Sequence, residues 1–314
     1  MNILITGGAG FIGSSLTEKL LKENNIIVID NFDDYYDPKL KEQNISNFIK
    51  NRNYKLYRES ICDFELLKEI FSQNHIDAVI HLAACAGVRN SFINPLKYVK
   101  TNVEGTVNIL ENMKNYNVKK IVFASSSSVY GNCNEDKFRE DLALNKPISP
   151  YASTKLAGEQ LLYTYSNAYD ISAICLRLFT VYGPKQRPDL AIRKFCELMK
   201  QDKPVCVYGD GTTIRDYTYI DDVVNAFCSA INYDKTKYEI INIGGNHPVT
   251  LNEMIKTLEK VTGKKAKIEN LPMQTGDVNK TASDITKAQK LLNYNPQTSI
   301  EDGIKKFYES MISI

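Results

Sequence analysis

Ile3-Leu4-Ile5-Thr6-Gly7-Gly8-Ala9-Gly10-Phe11-Ile12-Gly13 is the stretch on which the fold of this chain turns. A short apolar run enters a set of glycines, three of them spaced three apart, and an amphipathic helical pattern follows. Gly7, Gly10 and Gly13 suit a backbone that must pass close to another group. A pyrophosphate resting on the N-terminus of the following helix is such a group. The spacing is G-x-x-G-x-x-G rather than G-x-G-x-x-G, and a tight strand-to-helix turn alone would also use glycine.

Asp30 sharpens the reading. It ends the second strand-like run, Ile26-Ile27-Val28-Ile29, where a carboxylate accepts the hydroxyls of an adenosine ribose. The same charge repels a 2′-phosphate, so these residues predict NAD in preference to NADP.

Outward from this start, short apolar runs at 2–6, 26–30, 54–58, 77–82, 119–124 and 172–178 alternate with helical patterns near 12–23, 39–50, 63–73, 95–117 and 151–169. That rhythm predicts an α/β fold with a doubly wound parallel sheet and helices on both faces. Several strands are almost wholly apolar, as strands covered on both sides must be. Beyond residue 178 the rhythm breaks at Pro184, Pro188, Pro204, Pro248, Pro272 and Pro296. Helices are expected near 190–201, 221–232, 251–262, 284–292 and 300–312. The expected division is 1–178 for a dinucleotide-binding domain and 179–314 for a smaller mixed α/β lobe over the sheet's carboxyl edge, with segments free to interleave.

The 314 residues are 43% hydrophobic and 24% charged, with a formal net charge of +2. So balanced a charge excludes a strong field for nucleic acid or an anionic membrane. No apolar run is long enough to span a bilayer, and the strand that starts at Ile3 argues against a signal peptide. The seven cysteines include no CxxC pair, which predicts buried thiols in a reducing cytoplasm. The three histidines, His75, His81 and His247, are scattered, so no metal site is expected.

Two segments carry the chemistry. Ser125-Ser126-Ser127-Ser128 follows the strand Ile121-Val122-Phe123-Ala124, at the sheet end where ligands bind. Pro150-Tyr151-Ala152-Ser153-Thr154-Lys155 opens a long helix, and i, i+4 spacing puts Tyr151 and Lys155 on one face, so that the ammonium can stabilise a phenolate. Tyr35/Lys39, Tyr116/Lys120 and Tyr233/Lys237 share that spacing. Context selects Tyr151, one strand–helix unit after the serine loop. A phenol with a pKa of about 10 is a poor base at neutral pH, so neighbouring positive charge has to lower it.

With these motifs the chain resembles the extended short-chain dehydrogenase/reductases, specifically the NAD-dependent nucleotide-sugar epimerases and dehydratases. Also carrying the resemblance are His81-Leu82-Ala83-Ala84, Asn102, the run Leu176 to Pro184 and the run Arg215 to Asp222. It spans essentially the whole chain and implies a Rossmann-type sheet. It further implies that Tyr151 is the acid/base at a sugar O4, Lys155 its electrostatic partner and ribose anchor, and Ser126 the donor to O4. Implied cofactor contacts are Gly7, Gly10, Phe11, Ile12, Gly13, Asp30, Asn31, Ser60, Ile61, Leu82, Ala83, Ala84, Asn102, Ser125, Tyr151, Lys155 and Val181. Implied substrate contacts are Arg89, Ser126, Ser127, Ser128, Thr180, Arg187, Val207, Tyr208, Arg215 and Asp277. Arg89 and Arg215 are expected on the diphosphate, and the strand through Cys206, Val207 and Tyr208 on uracil.

Departures from the family pattern narrow the substrate. Dehydratases of the family carry Asp and Glu after the catalytic Ser/Thr, and the decarboxylases carry a Glu second; here Ser127 and Ser128 stand at both places. Asn31 to Pro38, Cys85 to Arg89, Thr180 to Asp189 and Leu271 to Val278 resemble UDP-glucuronate 4-epimerases. Ser127, Ser128 and Thr180 are hydroxyl donors for a C6 carboxylate and Arg187 an ion-pairing partner, although a solvated loop arginine fits Arg187 equally well. Ser60 replaces an Asp that bonds adenine in many relatives, Gln274 replaces an arginine on the diphosphate, and Thr281 leaves room at C2. UDP-glucose and UDP-N-acetylglucosamine therefore stay open as alternatives. A net reductase and a catalytically dead NAD-binding regulator are the readings from other classes. The family pairs subunits through helices equivalent to 95–117 and 151–169, which implies a homodimer.

Overall fold

The computed structural model describes residues 1–273 and 276–312. Its central layer is a seven-stranded sheet. Six strands come from the expected runs: β1 (Asn2–Thr6), β2 (Asn25–Ile29), β3 (Tyr54–Tyr57), β4 (Ala78–His81), β5 (Lys120–Ser126) and β6 (Ser172–Leu178). Next in the chain are β7 (Thr180–Tyr182), β8 (Val205–Tyr208), β9 (Ile214–Arg215), β10 (Tyr217–Tyr219) and β11 (Tyr238–Ile243), then β12 (Val249–Thr250) and β13 (Ile268–Leu271). The sheet order is β11-β6-β5-β4-β1-β2-β3, every neighbouring pair parallel. Three two-stranded ladders, β7 with β10, β9 with β12 and β8 with β13, belong to the smaller lobe.

Helices α1 (Phe11–Leu20), α2 (Pro38–Ile45) and α3 (Phe64–Gln73) link the first strands. After them run α4 (Val88–Ile93), α5 (Pro95–Val99), α6 (Gly105–Asn115) and α7 (Pro150–Tyr169). The later helices are α8 (Ala191–Lys200), α9 (Ile220–Ile231), α10 (Leu251–Thr262), α11 (Thr286–Leu292) and α12 (Ile300–Ile312). Strand alternation sorts the core into two faces. Ile3, Ile5, Val28, Ile80, Val122 and Ile174 pack with α1 and α9. On the other face Leu4, Ile27, Val79, Ile121, Phe123 and Ala173 pack with α3, α6 and α7. No helix among the described residues is long and apolar enough to cross a membrane.

The structure departs from expectation at three places. Residues 238–243 form a strand where none was expected, and it pairs with β6 at the sheet edge. With α9 packed on α1 and β5, the chain returns to the sheet after residue 178. The single helix expected over 95–117 is broken. Pro95 starts α5 under an Asn94 cap that accepts from the Lys97 N–H, and a π turn at Lys100–Glu104 follows before α6. Finally, only Cys175 and Cys196 of the seven thiols are fully buried; the other five are partly exposed, and all seven are free.

Candidate active site

The carboxyl ends of β1, β2, β4 and β5 place the predicted residues side by side. Gly7 has φ +73°, and a Cβ there would stand 2.8 Å from the Ala83 nitrogen, so the glycine turn and the loop after β4 touch backbone to backbone. Gly10 caps α1 without any side-chain hydrogen bond, and a Cβ at Gly10 would meet only the Gly7 carbonyl. The helix therefore offers unclaimed N–H groups, the feature that suits a pyrophosphate. Phe11 and Gly13 are buried and Ile12 half-buried.

Asp30 is 5% exposed and has a second task. Its carboxylate accepts from the Ala9 N–H at 3.0 Å and the Phe32 N–H at 2.9 Å, and Lys41 Nζ stands 3.7 Å away. It thus holds the glycine turn, while a carboxylate's remaining lone pairs are left for ribose hydroxyls. Asn31 is exposed and accepts from the Asp33 N–H. Ser60 accepts from the Cys62 N–H, and the Ile61 carbonyl is taken by Asn108. Cradle, helix end and acid together fit an adenine dinucleotide.

A relay of hydroxyls and one imidazole joins the glycine turn to the π turn. The Ala83 N–H donates to Thr6 Oγ1, which lies 2.7 Å from His81 Nδ1. His81 Nε2 lies 3.0 Å from Thr106 Oγ1, which donates its proton to the Asn102 carbonyl. Since Thr106 spends its only proton there, His81 donates from Nε2 and accepts at Nδ1. Burial, helped by the Lys155 charge, holds the His81 pKa down to about 3, so the ring is neutral. The Asn102 side chain clasps both backbone groups of Cys85 and donates to Thr154 on α7. The π turn that carries Asn102 is thus pinned at the site, a common placement for such turns. Leu82, Ala83 and Ala84 line the loop that this relay fixes.

Tyr151 and Lys155 lie on the first turns of α7, whose start is set by Ser149 accepting from the Ala152 N–H and by Pro150 at the first helical position. Burial raises the Tyr151 pKa, while its hydrogen bond with Ser126 and the Arg187 charge pull the other way. Lys155 does not make the direct contact with Tyr151 that their spacing suggests: Nζ donates to the Ala124 carbonyl at 2.9 Å. Burial brings its pKa down to about 8, with Cys85 and Glu159 opposing. Ser126 donates to Ser128 Oγ at 3.1 Å, and Ser127 and Ser128 are half-buried in a 3-10 turn over Ser127–Tyr130. The Ser125 hydroxyl is committed to Glu159 at 2.5 Å, so only its backbone is free for a cofactor.

Arg89, Tyr208, Arg215 and Asp277 gather at a second patch. Arg89 lies 4.8 Å over the Tyr208 ring and donates to Asp277 at 2.9 Å. Arg215 donates to its neighbour's carbonyl, Ile214, and has no ion pair among the described residues. Burial and the facing Arg89 charge lower its pKa. A partly buried guanidinium whose neighbouring carboxylate, Asp277, is taken by Arg89 suits an anionic ligand. In β8 the Val205 N–H donates to Lys267 and the Gly209 N–H to Leu271, the register of a parallel pair with β13. Val207, buried and in phase with those two, therefore faces its backbone to β13. Cys206 and Tyr208 present theirs to the other edge, which corrects the expectation for Val207.

Arg187 is not a solvated loop charge. It is 19% exposed, grips Asp189 through Nε and Nη2 at 2.9 and 2.8 Å, and lies 5.3 Å over the Tyr35 ring. Asp189 also accepts from the Tyr35 hydroxyl at 3.3 Å. Thr180 is half-buried and Val181 buried beside them. Thr281 is 6% exposed, with its hydroxyl turned to the Asp216 N–H. Gln274 lies outside the described residues. Sequence reasoning gave no role to Glu159, Arg177, Tyr35 or Asp189; the last three lie in stretches that carry the resemblance, and Arg177 is also a charged residue inside an otherwise apolar strand, whereas nothing marked Glu159.

Comparison with known proteins follows the same lines. A family model described as GDP-mannose 4,6 dehydratase matches residues 4–307. The UDP-glucuronate 4-epimerase of Thermodesulfobacterium geofontis (strain OPF15) is 47% identical over 305 residues, covering 96% of this chain and 94% of that protein. The crystal structure of a UDP-glucuronic acid 4-epimerase from Bacillus cereus, in complex with UDP-glucuronic acid and NAD, superposes with a TM-score of 0.94 at 39% identity, covering 100% and 99% of the two chains. A UDP-glucose 4-epimerase from Thermotoga maritima, with UDP-glucose, gives 0.92 at 36% identity over the same shares.

Proposed function

Because this chain belongs to the extended short-chain dehydrogenase/reductase family of NAD-dependent nucleotide-sugar epimerases and is an NAD-dependent UDP-sugar 4-epimerase, we propose that it interconverts UDP-glucuronate and UDP-galacturonate. Bound on the glycine turn and Asp30, NAD supplies the hydride acceptor for sugar carbon C4 and gives the hydride back in the second half of the reaction. Tyr151 takes the O4 proton and later returns it, Ser126 donates to O4, and Lys155 keeps the surroundings of the phenolate positive. Arg215 and Arg89 hold the diphosphate, and the open edge of β8 at Cys206 and Tyr208 meets uracil.

The observation that carries the choice of a uronate is the row of half-buried hydroxyls beside Tyr151, with Arg187 close enough for its charge to act on the phenol and with Nη1 left over from its grip on Asp189. Ser127, Ser128 and Thr180 supply hydroxyl donors at positions that carry no acid, and the one carboxylate nearby, Asp189, is held by Arg187 and the Tyr35 hydroxyl. A 4-keto uronate is a β-keto acid and loses CO₂ easily, and donors that hold its carboxylate in the ketone plane suppress that loss. Replacing the guanidinium (Arg187→Met) should raise the KM for UDP-glucuronate about tenfold or more while leaving that for UDP-glucose within about twofold. Equal losses for both sugars would refute the assignment and favour a neutral substrate.

Seven free cysteines support a reducing cytoplasm. Ile93, Leu96 and Val99 on and beside α4 and α5, with Tyr163 on α7, are 80%, 79%, 50% and 53% exposed. We infer that this apolar strip is where two copies pair.

A further inference from the structure

Tyr151, Lys155 and Glu159 occupy every fourth position of α7 and so share one face of the helix. Each reaches a different residue at the end of β5. The Tyr151 phenol is acted on by the Ser126 hydroxyl, Lys155 donates to the Ala124 carbonyl at 2.9 Å, and Glu159 Oε1 accepts from Ser125 at 2.5 Å. Together the three contacts tie one face of the helix to residues 124–126 of the strand. Glu159 makes the third, and the reaction described above gives it no task.

Glu159 is itself fixed from beneath. Arg177 on β6 donates to both of its oxygens, at 2.9 and 2.8 Å, and both side chains are only 2% exposed. The same guanidinium donates to the Tyr130 hydroxyl at 2.9 Å, at the end of the 3-10 turn that carries Ser127 and Ser128. Tyr130 in turn donates to Asn242 on β11 at 2.8 Å. Asn242 donates onward to the carbonyls of Phe138 and Asp284. A buried ion pair gains little net stability, since desolvation offsets the attraction. Its geometric effect is specific: it ties Ser125 on β5 to α7. Strand alternation already decides which way Ser126 faces; the tie fixes how closely the end of β5 lies against α7, and with it the spacing between Ser126 and Tyr151.

We propose that Glu159 and Arg177 are positioning residues for the reaction, acting through Ser125 and Tyr130 to hold Ser126 in hydrogen-bond register with Tyr151. The proposal rests on Tyr151 being the proton acceptor. The groups that face Tyr151 are Ser126 from β5, Arg187 from the loop before α8 and Tyr98 from α5. Those that face Lys155 are Glu159, Cys85 and His81. Of the groups that lower the Tyr151 pKa, Ser126 is the one the network controls, so loosening it moves the phenol upward.

The test uses the full-length enzyme and two changes. Ser125→Ala removes one contact and leaves the ion pair intact, so the fold is retained. Glu159→Gln with Arg177→Met removes both buried charges together, which avoids stranding either one. For each, kcat and KM are measured with the preferred UDP-sugar, and ionisation of Tyr151 is followed as tyrosinate absorbance by difference from the matched Tyr151→Phe protein. Ser125→Ala should lower kcat about threefold and the charge-free pair about tenfold or more, with KM within about twofold, because small misplacement of a reacting group costs rate rather than binding. The tyrosinate titration should move to higher pH. Wild-type kcat and an unmoved titration in Ser125→Ala would overturn the proposal, whatever the double variant does. Should Tyr151→Phe alone keep full activity, the failure would instead belong to the role given to Tyr151.

Discussion

Lys155 shows how a single side chain sets the working pH. Its ammonium is buried against Phe123, 4.9 Å from the ring centre, and brought down to about 8. Turnover should therefore fade as the pH climbs past that value and the ammonium is lost. Lys155→Met should cost roughly 10²-fold or more in kcat, the usual weight of acid–base assistance; a fall of less than about threefold would show the charge to be idle. His81 makes a complementary prediction for stability. Its pKa is about 3 when folded against 6.5 for the free side chain, so the unfolded chain takes up a proton that the native one refuses. Stability from this group is present above about pH 6.5 and is lost on acidification, by about 2 kcal/mol between pH 7 and 5. Urea unfolding at both pH values, compared with His81→Gln, checks it; equal acid losses in the two proteins would contradict it. Asp30 and Tyr151 could be singled out in the sequence because their position relative to glycines, a strand end or a helix start carries the signal, whereas Arg215 entered only through the family resemblance. Glu159 could not, because its partners Ser125 and Arg177 meet it only when β5, β6 and α7 have assembled.

At the scale of elements, α7 must lie close to β5 for the three contacts to form. Gly158 allows it: a Cβ there would stand 2.5 Å from the Phe123 ring, which is 2% exposed and has nowhere to go. Alanine would gain about 1 kcal/mol of helix propensity but overpack by about 1–3 kcal/mol. Overpacking should win, and Gly158→Ala should lower both melting temperature and kcat. A stabilised, fully active variant would show that the helix does not need this approach. Elements with strong periodicity, such as β1, α9 and α10, lie within a residue or two of where the pattern puts them. The strand β11 escaped because Tyr238, Glu239 and Ile240 are half-exposed at a sheet edge and follow a helix that seemed to belong to another lobe. The break before α6 escaped for a different reason: apolar spacing continues through Pro95 and the π turn, and only the Asn102 contacts with Cys85 and Thr154 account for the bulge.

The whole molecule is one interleaved body. The strand β11 covers the β6 edge and α9 covers the face next to α1, so a fragment ending at residue 178 leaves both bare. That fragment should remain unfolded, while the full chain unfolds in one transition; a stable, NAD-binding 1–178 fragment would contradict this. The exposed strip of Ile93, Leu96 and Val99 should close in a dimer, and Leu96→Asp should shift sedimentation toward a monomer without altering chemistry at Tyr151. The central claim concerns the substrate. The most direct measurement is to incubate the purified enzyme, with no added NAD, separately with UDP-glucuronate, UDP-glucose and UDP-N-acetylglucosamine, and to resolve the C4 isomers by chromatography. UDP-galacturonate should form fastest and without CO₂ release; turnover of UDP-glucose with UDP-glucuronate left untouched would contradict the account.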